Sequence, residues 1–421
     1  MSQRPAFDRP PLRRLFGIRD YRILWSAALC MIIAQQIRFI AIPQWFLDQT
    51  GADSFTEVAI IGAVQLPIQA FAVLYGGALA DRFDRRWLMA GANITVLVIL
   101  IVVAAAATAD LLEFWMAWVA LGALGGLATF VAPARATITP RVVPPRYLSA
   151  AVTLDTSTQM SGWILGGLIV TALAVGLNAI GMLWVAAGFA AASAVMPLLI
   201  RTSARAVSER QSTVRMVIDG AKYVSRHPIL PGLFILDWGI TIISYYREIL
   251  PLLATGLFMA GVGAAGALGT VNAVGSACGM MLALFLVNYR AKGIMVLAAS
   301  AVYAALLFAL GAAPFLWVGM IVIAMLGAAD AVTVAVRQVT VHLTTPDEMR
   351  GRAFSVMVLM AQTANNLGII WVGFWGDEVG VDNTYFMGGA IGLGATFLIG
   401  VLWRSISRYR APAHAPDAPI E

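Results

Sequence analysis

Twelve long apolar stretches dominate this sequence, and they limit what the chain can fold into. A helix that crosses a lipid bilayer needs about 20 mostly apolar residues, and each stretch is long enough to supply one. Charged residues make up only 12% of the chain, whereas a soluble domain carries roughly 25%. The sequence therefore predicts an all-α membrane protein with twelve transmembrane helices. The stretches are 23–47, 55–80, 87–109, 112–134, 148–175, 179–200, 229–255, 261–287, 294–312, 314–336, 353–376 and 385–403.

A longer polar stretch, 201–228, separates the sixth apolar stretch from the seventh. It predicts two pseudo-symmetric six-helix bundles, 23–200 and 229–404, between a cytoplasmic N-terminal segment, 1–22, and a disordered cytoplasmic tail, 405–421. Within the linker, apolar residues recur at helical spacing, which favours an amphipathic helix on the cytoplasmic surface of the membrane. These apolar positions are Val214, Val217, Ile218, Ala221 and Val224.

Basic residues are distributed unevenly between the two sets of loops that twelve spans create. With the N-terminus in the cytoplasm, every Lys and Arg except Arg38 and Arg247 falls in a cytoplasmic loop or tail. Membrane proteins keep an excess of positive charge on the cytoplasmic side, so we expect a bacterial inner (plasma) membrane protein with both termini cytoplasmic. Because the net charge of +6 is spread over short loops, it does not indicate nucleic-acid binding. The opposite loops hold only acidic charge, at Asp48, Asp53, Asp110, Glu113, Asp377, Glu378 and Asp382.

A short pattern occurs once in each half of the chain. Segments 135–144 and 337–346 both begin with Arg and end with Pro, and we expect them to be the loops before the fifth and eleventh spans. Each follows a Gly-rich helix. Two parallel halves related by an axis along the membrane normal are one plan on which transporters are built.

The loop after the second span has the sequence Gly76-Gly-Ala-Leu-Ala-Asp-Arg-Phe-Asp84-Arg-Arg86. It resembles the signature loop of the major facilitator superfamily, Gly-x-x-x-Asp-Arg-x-Gly-Arg-Arg, with Asp84 in place of the second Gly. The resemblance implies a twelve-helix transporter that works by alternating access. Small residues here let helices approach closely, while the Asp and Arg side chains can cap a helix or pair across the interface between the halves. The expected conformational latch consists of Gly77, Asp81, Arg82, Arg85 and Arg86.

Further stretches resemble the drug:proton antiporter subgroup that includes the enterobactin exporter and macrolide efflux proteins. They are 41–43 and 49–51 in the first span, 226–230 with Asp237 at the seventh, and 345–352 before the eleventh. The resemblance implies a monomer that exports a small molecule, with no cofactor and with the proton gradient as its source of energy.

One motif of that subgroup is altered in the fifth span. Its pattern Gly-Pro-x-x-Gly-Gly is present here as Gly162-Trp163-Ile-Leu-Gly166-Gly167. Trp163 takes the place of the proline that would kink the helix. This change weakens the prediction of proton exchange and leaves helix packing as an equal explanation of the glycines.

Two arginines lie inside predicted spans, where a charge costs roughly 2.5–3.5 kcal/mol and normally faces a cavity or a partner. By resemblance to the family, Arg38 of the first span and Arg247 of the seventh face a central cavity. Guanidinium groups pair with carboxylates and stack on aromatic rings, so the site suits an anionic or phenolic substrate. The alternative is that Glu248 or another acid neutralises the arginines in gating ion pairs. The residues expected to flank them are Gln35, Gln36, Tyr245 and Tyr246.

Four acidic residues within spans are candidates for carrying a coupling proton: Asp237, Asp330, Glu248 and Asp155. Asp237 and Glu248 are close to three helical turns apart and should share a face. The alternatives are that Asp330 pairs with Arg337, and that Asp155 lies at the cytoplasmic boundary. Gln65 and Gln69 on the second span line the pore or bond to a neighbouring helix.

These features favour a secondary active transporter, and first a proton-coupled exporter of a small amphipathic or anionic compound such as a siderophore or an antibiotic. Uptake of an organic anion and movement of a lysophospholipid between leaflets are the alternatives. An enzyme is not expected, because the chain has no P-loop, no His-Glu-x-x-His, no Gly-x-Ser-x-Gly and no metal-spaced His and Cys set.

The predicted orientation is testable by cysteine labelling. In a background with Cys30 and Cys278 replaced by Ala, we expect Asp48→Cys and Glu378→Cys to react with an impermeant maleimide added to intact cells. Arg404→Cys should react only after the membrane is opened. Labelling with the opposite pattern would contradict the twelve-span topology.

Overall fold

The computed structural model describes residues 15–50, 56–80, 84–144, 147–201, 213–286 and 289–410; the side chains of some helical residues, among them 73–80 and 85, lie outside that description. Twelve long helices, α1 to α12, follow one another within these ranges. They are α1 (Arg19–Thr50), α2 (Thr56–Ala80), α3 (Arg85–Thr108), α4 (Phe114–Val142), α5 (Leu148–Leu173), α6 (Ala179–Val195), α7 (Leu230–Leu257), α8 (Val262–Phe285), α9 (Lys292–Gly311), α10 (Leu316–Thr344), α11 (Asp347–Val379) and α12 (Val381–Leu402).

The helices form an all-α membrane protein, as predicted. By length and composition alone, eight helices of the described chain are apolar enough to cross a membrane, and α7 makes a ninth if it is counted together with the helix before it. We call the end of the bundle where α1 begins the basic end, and the end where α1 meets α2 the acidic end.

The two halves share one packing plan. In the first half α2 packs on α4 and α3 on α6, and in the second half α8 packs on α10 and α9 on α12. Between the halves, α2 packs against α11 and α5 against α8. When six is added to each helix number, with α1 following α12, every one of these contacts becomes another contact of the set. This is the symmetry expected of two parallel six-helix bundles.

At the basic end, the helices are longer than the predicted spans. Segments 135–144 and 337–346 are mostly the last turns of α4 and α10, so the prediction that they are loops is wrong. Each helix ends at the residue before a proline: Val143 has φ −108° and ψ 131°, and Thr345 has φ −112° and ψ 126°. A following proline disfavours helical backbone, so these helices end where a proline stops them and not where the apolar stretch ends.

A short helix, Thr213–Arg226, lies in the linker and meets α7 at an angle of 106°. We call it the linker helix. It packs on the start of α11, where Gly220 lies against the backbone of Arg352 and Asp219 forms an ion pair with Arg352 at 3.3 Å. The linker therefore crosses the basic end and contacts the second bundle.

Small residues allow the closest helix contact in the second bundle, between α8 and α10. A Cβ atom built on Gly275 would collide with the carbonyl oxygen of Ala324, and one on Gly279 with that of Ala328. Without a hydrophobic driving force between helices in lipid, close van der Waals packing of this kind holds helices together.

We predict that Gly275→Ala destabilises the protein by about 1–3 kcal/mol, because the added methyl group forces α8 and α10 apart. Gly394→Ala is the matched control, since nothing lies within 4 Å of its added methyl group. Thermal unfolding of the purified proteins in detergent measures both. Equal unfolding temperatures for the two variants would contradict the close contact.

Candidate functional site

Helix α7 is interrupted in the middle of the bundle. Regular helix ends at Ser244, Tyr245 is extended, and a short turn of tighter helix covers Arg247–Ile249. Pro251 contributes to the break, because it has no N–H to bond the carbonyl group of Arg247 and its ring crowds that carbonyl. Asp237, before the break, lines the cavity of the second bundle and Glu248, after it, does not, so the prediction that Asp237 and Glu248 share a face is wrong.

A cavity of about 170 Å³ lies beside this break, within the second bundle. It is enclosed by α7, α9, α10 and α11. Its lining contains two acids, two arginines and three tyrosines, together with smaller polar and apolar side chains. The charged and aromatic residues are Asp237, Tyr245, Tyr246, Arg247, Tyr303, Asp330 and Arg337.

The first ion pair of the cavity joins α7 to α10. The Arg247 Nη2 atom donates to Oδ2 of Asp330 at 2.6 Å, and the two side chains are 39% and 34% exposed. Because both residues line the cavity, a transported molecule or water could reach this pair. The pair confirms that an acid neutralises Arg247, but the acid is Asp330 and not Glu248.

Arg247 also contacts the other half of the molecule. Its guanidinium carbon lies 5.9 Å from the centre of the Trp163 ring on α5, which is within the range of a cation–π contact. Trp163 is the residue that replaces the proline of the antiporter motif. In this structure the replacement therefore provides an aromatic surface for an arginine of the second bundle.

The second ion pair is deeper in protein. Arg337 of α10 contacts the carboxylate of Asp237 on α7, and the two side chains are 6% and 18% exposed. The predicted alternative of an Asp330–Arg337 pair is wrong, because those residues lie seven positions apart, about 10 Å along α10. Arg337 was also expected in a loop, whereas it is a buried helical residue.

Arg38 does not line the cavity. It is buried on α1, with 1% of its surface exposed, and it interacts electrostatically with Glu248 of the second half. Glu248 is also hydrogen-bonded to the side chains of Tyr245 and Gln65. The prediction that Arg38 and Arg247 line one cavity is therefore wrong, because α1 packs Arg38 into the interface between the halves.

The other predicted site residues are divided between the cavity and its surroundings. Tyr245 and Tyr246 line the cavity, whereas Gln35 and Gln36 do not. Gln36 lies between α5 and α8, beside Gly166 and Gly269.

Asp155 is outside the cavity. It lies near the start of α5 at the basic end and accepts a hydrogen bond from Thr139 at 2.9 Å.

Three cavity and interface residues were missed from the sequence. Tyr303 accepts a hydrogen bond from Ser244 at 3.3 Å, Asn272 donates to Tyr246 at 2.6 Å, and Asn366 donates to Gln69 at 3.0 Å. Tyr303 and Asn272 are isolated polar side chains within apolar stretches, and Asn366 belongs to a short polar group, 362–366, within another. That was the available signal, but a lone polar residue is also common in ordinary helix packing.

The expected latch is only partly described. Asp81 and Arg82 lie outside the described residues, as does the side chain of Arg85, and of Gly77 only the helical backbone is described. Arg86 donates to the carbonyl oxygen of Ile200 at 2.6 Å, within its own half. Asp84, which replaces the second Gly of the motif, caps α3 by accepting from the N–H of Arg86 at 3.0 Å.

Contacts between the halves are close near the acidic end. The backbone N–H of Thr56 on α2 donates to Asp377 of α11 at 2.7 Å, so an acid of the second half caps a helix of the first. Thr171 of α5 donates to the carbonyl oxygen of Gly263 on α8 at 3.2 Å. Asn366 and Gln69 add a third polar contact deeper in the interface. The halves are therefore joined at the acidic end in this state.

Two such halves, with ion pairs and a cavity beside the broken helix α7, define a membrane transporter of the major facilitator type. The family model described as transmembrane secretion effector matches residues 11–417. The chain therefore belongs to this family of the major facilitator superfamily. The predicted superfamily is confirmed, and the antiporter subgroup stays a prediction.

Solved structures show the same fold. A point mutant of the nucleoside transporter NupG aligns with a TM-score of 0.75 at 13% identity, over 91% of this chain and 99% of that one. A POT family transporter in complex with 5-aminolevulinic acid gives 0.73 at 12% identity, over 93% and 97%. A bacterial homologue of the human lysosomal transporter Spinster, inward-facing and unoccupied, gives 0.66 at 14% identity, over 92% and 96%.

At these identities the similarity establishes the fold alone. A search of curated proteins gives no match. Family and fold together establish a multi-pass membrane transporter and not an enzyme, as predicted.

We predict that the two ion pairs differ in their contribution to stability. Asp237→Asn should destabilise by about 3–5 kcal/mol, because it leaves the buried Arg337 without its opposite charge. Asp330→Asn should cost clearly less, since cavity water can solvate Arg247. Thermal unfolding in detergent compares the two isosteric changes. A larger loss for Asp330→Asn would contradict the difference in burial.

Proposed function

We propose that this protein is a proton-coupled exporter of a small amphipathic organic compound, such as a siderophore or an antibiotic, and that it works by alternating access. The observation that carries the proposal is the Arg247–Asp330 pair, which is exposed to the cavity of the second half and whose arginine also contacts Trp163 of the first half. The description of the family as secretion effectors supports the outward direction.

The Arg247–Asp330 pair offers a physical route for coupling. A proton on Asp330 removes the charge that holds Arg247, and Arg247 is also in contact with Trp163 of the opposite half. Protonation therefore changes a contact within one bundle and a contact between bundles at once. A coupling element of this kind must favour different states when it is charged and when it is neutral.

The shape and chemistry of the cavity support an amphipathic substrate. The rings of Tyr245, Tyr246 and Tyr303 provide flat apolar surfaces with hydroxyl groups at their edges. The paired charges provide hydrogen-bond donors and acceptors without net charge. A molecule with an aromatic or apolar body and several polar groups matches this lining.

The orientation of the protein in the membrane is part of the proposal. With the basic end in the cytoplasm of a bacterial cell, the contacts of Thr56 and Thr171 close the outer side of the transporter. An exporter must take up its substrate from the cytoplasm, and it does so in a state whose outer side is closed.

A second function is favoured by one observation, the availability of Arg247. An organic anion that binds Arg247 would displace Asp330, and the displaced carboxylate would then take up a proton more readily. Anion and proton binding would support each other, so the two would move in the same direction. Movement of substrate and proton in the same direction is typical of uptake by symport, whereas an antiporter moves them in opposite directions.

In proteoliposomes with a pH-sensitive dye in the lumen, the change in luminal pH distinguishes these functions. Selective labelling of the acidic end identifies the vesicles whose basic end faces outward. The test compounds are a macrolide, a catecholate siderophore, an aromatic carboxylate and a lysophospholipid. With an acidic lumen, we expect a transported macrolide or siderophore to raise the luminal pH as protons leave. Symport of the carboxylate would lower the luminal pH, and lysophospholipid movement without proton exchange would leave it unchanged.

The expected carrier of the proton is tested in the same vesicles. Asp330→Asn should abolish the pH change while it preserves exchange of labelled substrate for unlabelled substrate. Asp382→Asn is the matched control, because this acid is exposed at the acidic end, outside the cavity. A full pH response in Asp330→Asn would exclude Asp330 as the proton carrier.

A further inference from the structure

A second pocket, of about 530 Å³, lies at the basic end, away from the central cavity. It is formed by the linker helix, by the turn that leads into α7 and by the first residues of α11. We call it the linker pocket. Its lining residues are Asp219, Lys222, Tyr223, Arg226, His227, Pro228, Met349 and Arg352.

The linker pocket carries positive charge that the described residues do not balance. Arg352 is paired with Asp219 at 3.3 Å. Lys222 and Arg226 are exposed one turn apart on the linker helix, and neither has an acidic partner within the part of the chain that the structure describes. The pocket therefore presents two cations to an anionic ligand.

His227 contributes no further charge. Its Nδ1 atom accepts the backbone N–H groups of Ile229 and Leu230, both at 3.2 Å, and so caps the first turn of α7. Burial lowers the pKa of His227. A ring nitrogen that accepts two hydrogen bonds must be unprotonated, so the cap requires the neutral form.

The position of the linker pocket indicates where its ligand comes from. Pro228 and Arg352 of its lining directly precede the apolar stretches 229–255 and 353–376, so the pocket lies level with the start of two spans. Tyr223 ties the linker helix to the end of α10 by donating to the carbonyl oxygen of Thr344 at 3.3 Å. The ends of membrane spans lie at the depth of lipid headgroups, where basic pockets between helices bind anionic lipids.

We propose that the linker pocket binds the phosphate group of an anionic phospholipid, held by Lys222 and Arg226. The linker helix connects the two bundles and also packs on α11. A bound lipid would therefore fix this connection to the membrane surface. The proposal is independent of the substrate and of the direction of transport.

Native mass spectrometry of the full chain, taken from nanodiscs of phosphatidylcholine with a minor share of phosphatidylglycerol, tests the proposal. We expect retained phosphatidylglycerol in preference to phosphatidylcholine. The double variant Lys222→Gln/Arg226→Gln should lower that preference about 30-fold, because each basic residue near an anionic surface contributes about fivefold. Both residues are exposed, and an unchanged thermal unfolding temperature verifies that the variant folds.

The matched control is Arg404→Gln/Arg408→Gln, which removes two exposed charges from the same end outside the linker pocket. Its lipid preference should fall clearly less, because these two charges lie near the surface but do not line the pocket. An equal loss in both double variants, or no loss in the linker variant, would overturn the site. In a final experiment, glycerol 1-phosphate is added to the protein with its bound lipid. If it displaced the lipid at comparable concentration, the pocket would be a site for free phosphate compounds, and the proposal that it binds a phospholipid would be wrong.

Discussion

Charge that enters a membrane bundle must meet opposite charge, because lipid offers none. In the second bundle this constraint determines how α7 and α10 fit together. Asp237 and Arg247 on α7 meet Arg337 and Asp330 on α10, so each helix contributes one acid and one base. A slip of the helices that brought acid to acid would be strongly unfavourable. The two pairs therefore specify the register of the helices around the cavity.

The break in α7 extends this charge matching to the first bundle. After Ser244 the chain leaves regular helix, and the next turn places Arg247 against Trp163 and brings Glu248 into electrostatic interaction with Arg38. Both interactions cross between the halves. A rocking motion of one half against the other must alter them, whereas the contacts between α7 and α10 can persist. The break thus separates charges that hold one bundle together from charges that respond to the motion of both.

Hydropathy predicted the helices well, because the cost of exposing polar backbone to lipid leaves a chain of this composition few alternatives. Charge within the apolar stretches also singled out both acids of the two cavity pairs as candidate site residues. Hydropathy could not predict which arginine each acid pairs with. The pairing of Asp330 depends on the rotation of α10 and on the break of α7, and neither changes the average polarity of the sequence. Arg337 was assigned to a loop because the apolar stretch ends before the helix does.

The same pairing restricts what the cavity can recognise. With both pairs formed, the cavity is lined by charged groups that sum to zero, so net attraction cannot select an ion. A ligand must instead exchange with one member of a pair, and Arg247–Asp330 is the more accessible of the two. An anion would compete with Asp330, and a cation would compete with Arg247. The sign of the transported charge therefore determines whether a proton accompanies the ligand or opposes it, and a single ion pair links specificity to the direction of coupling.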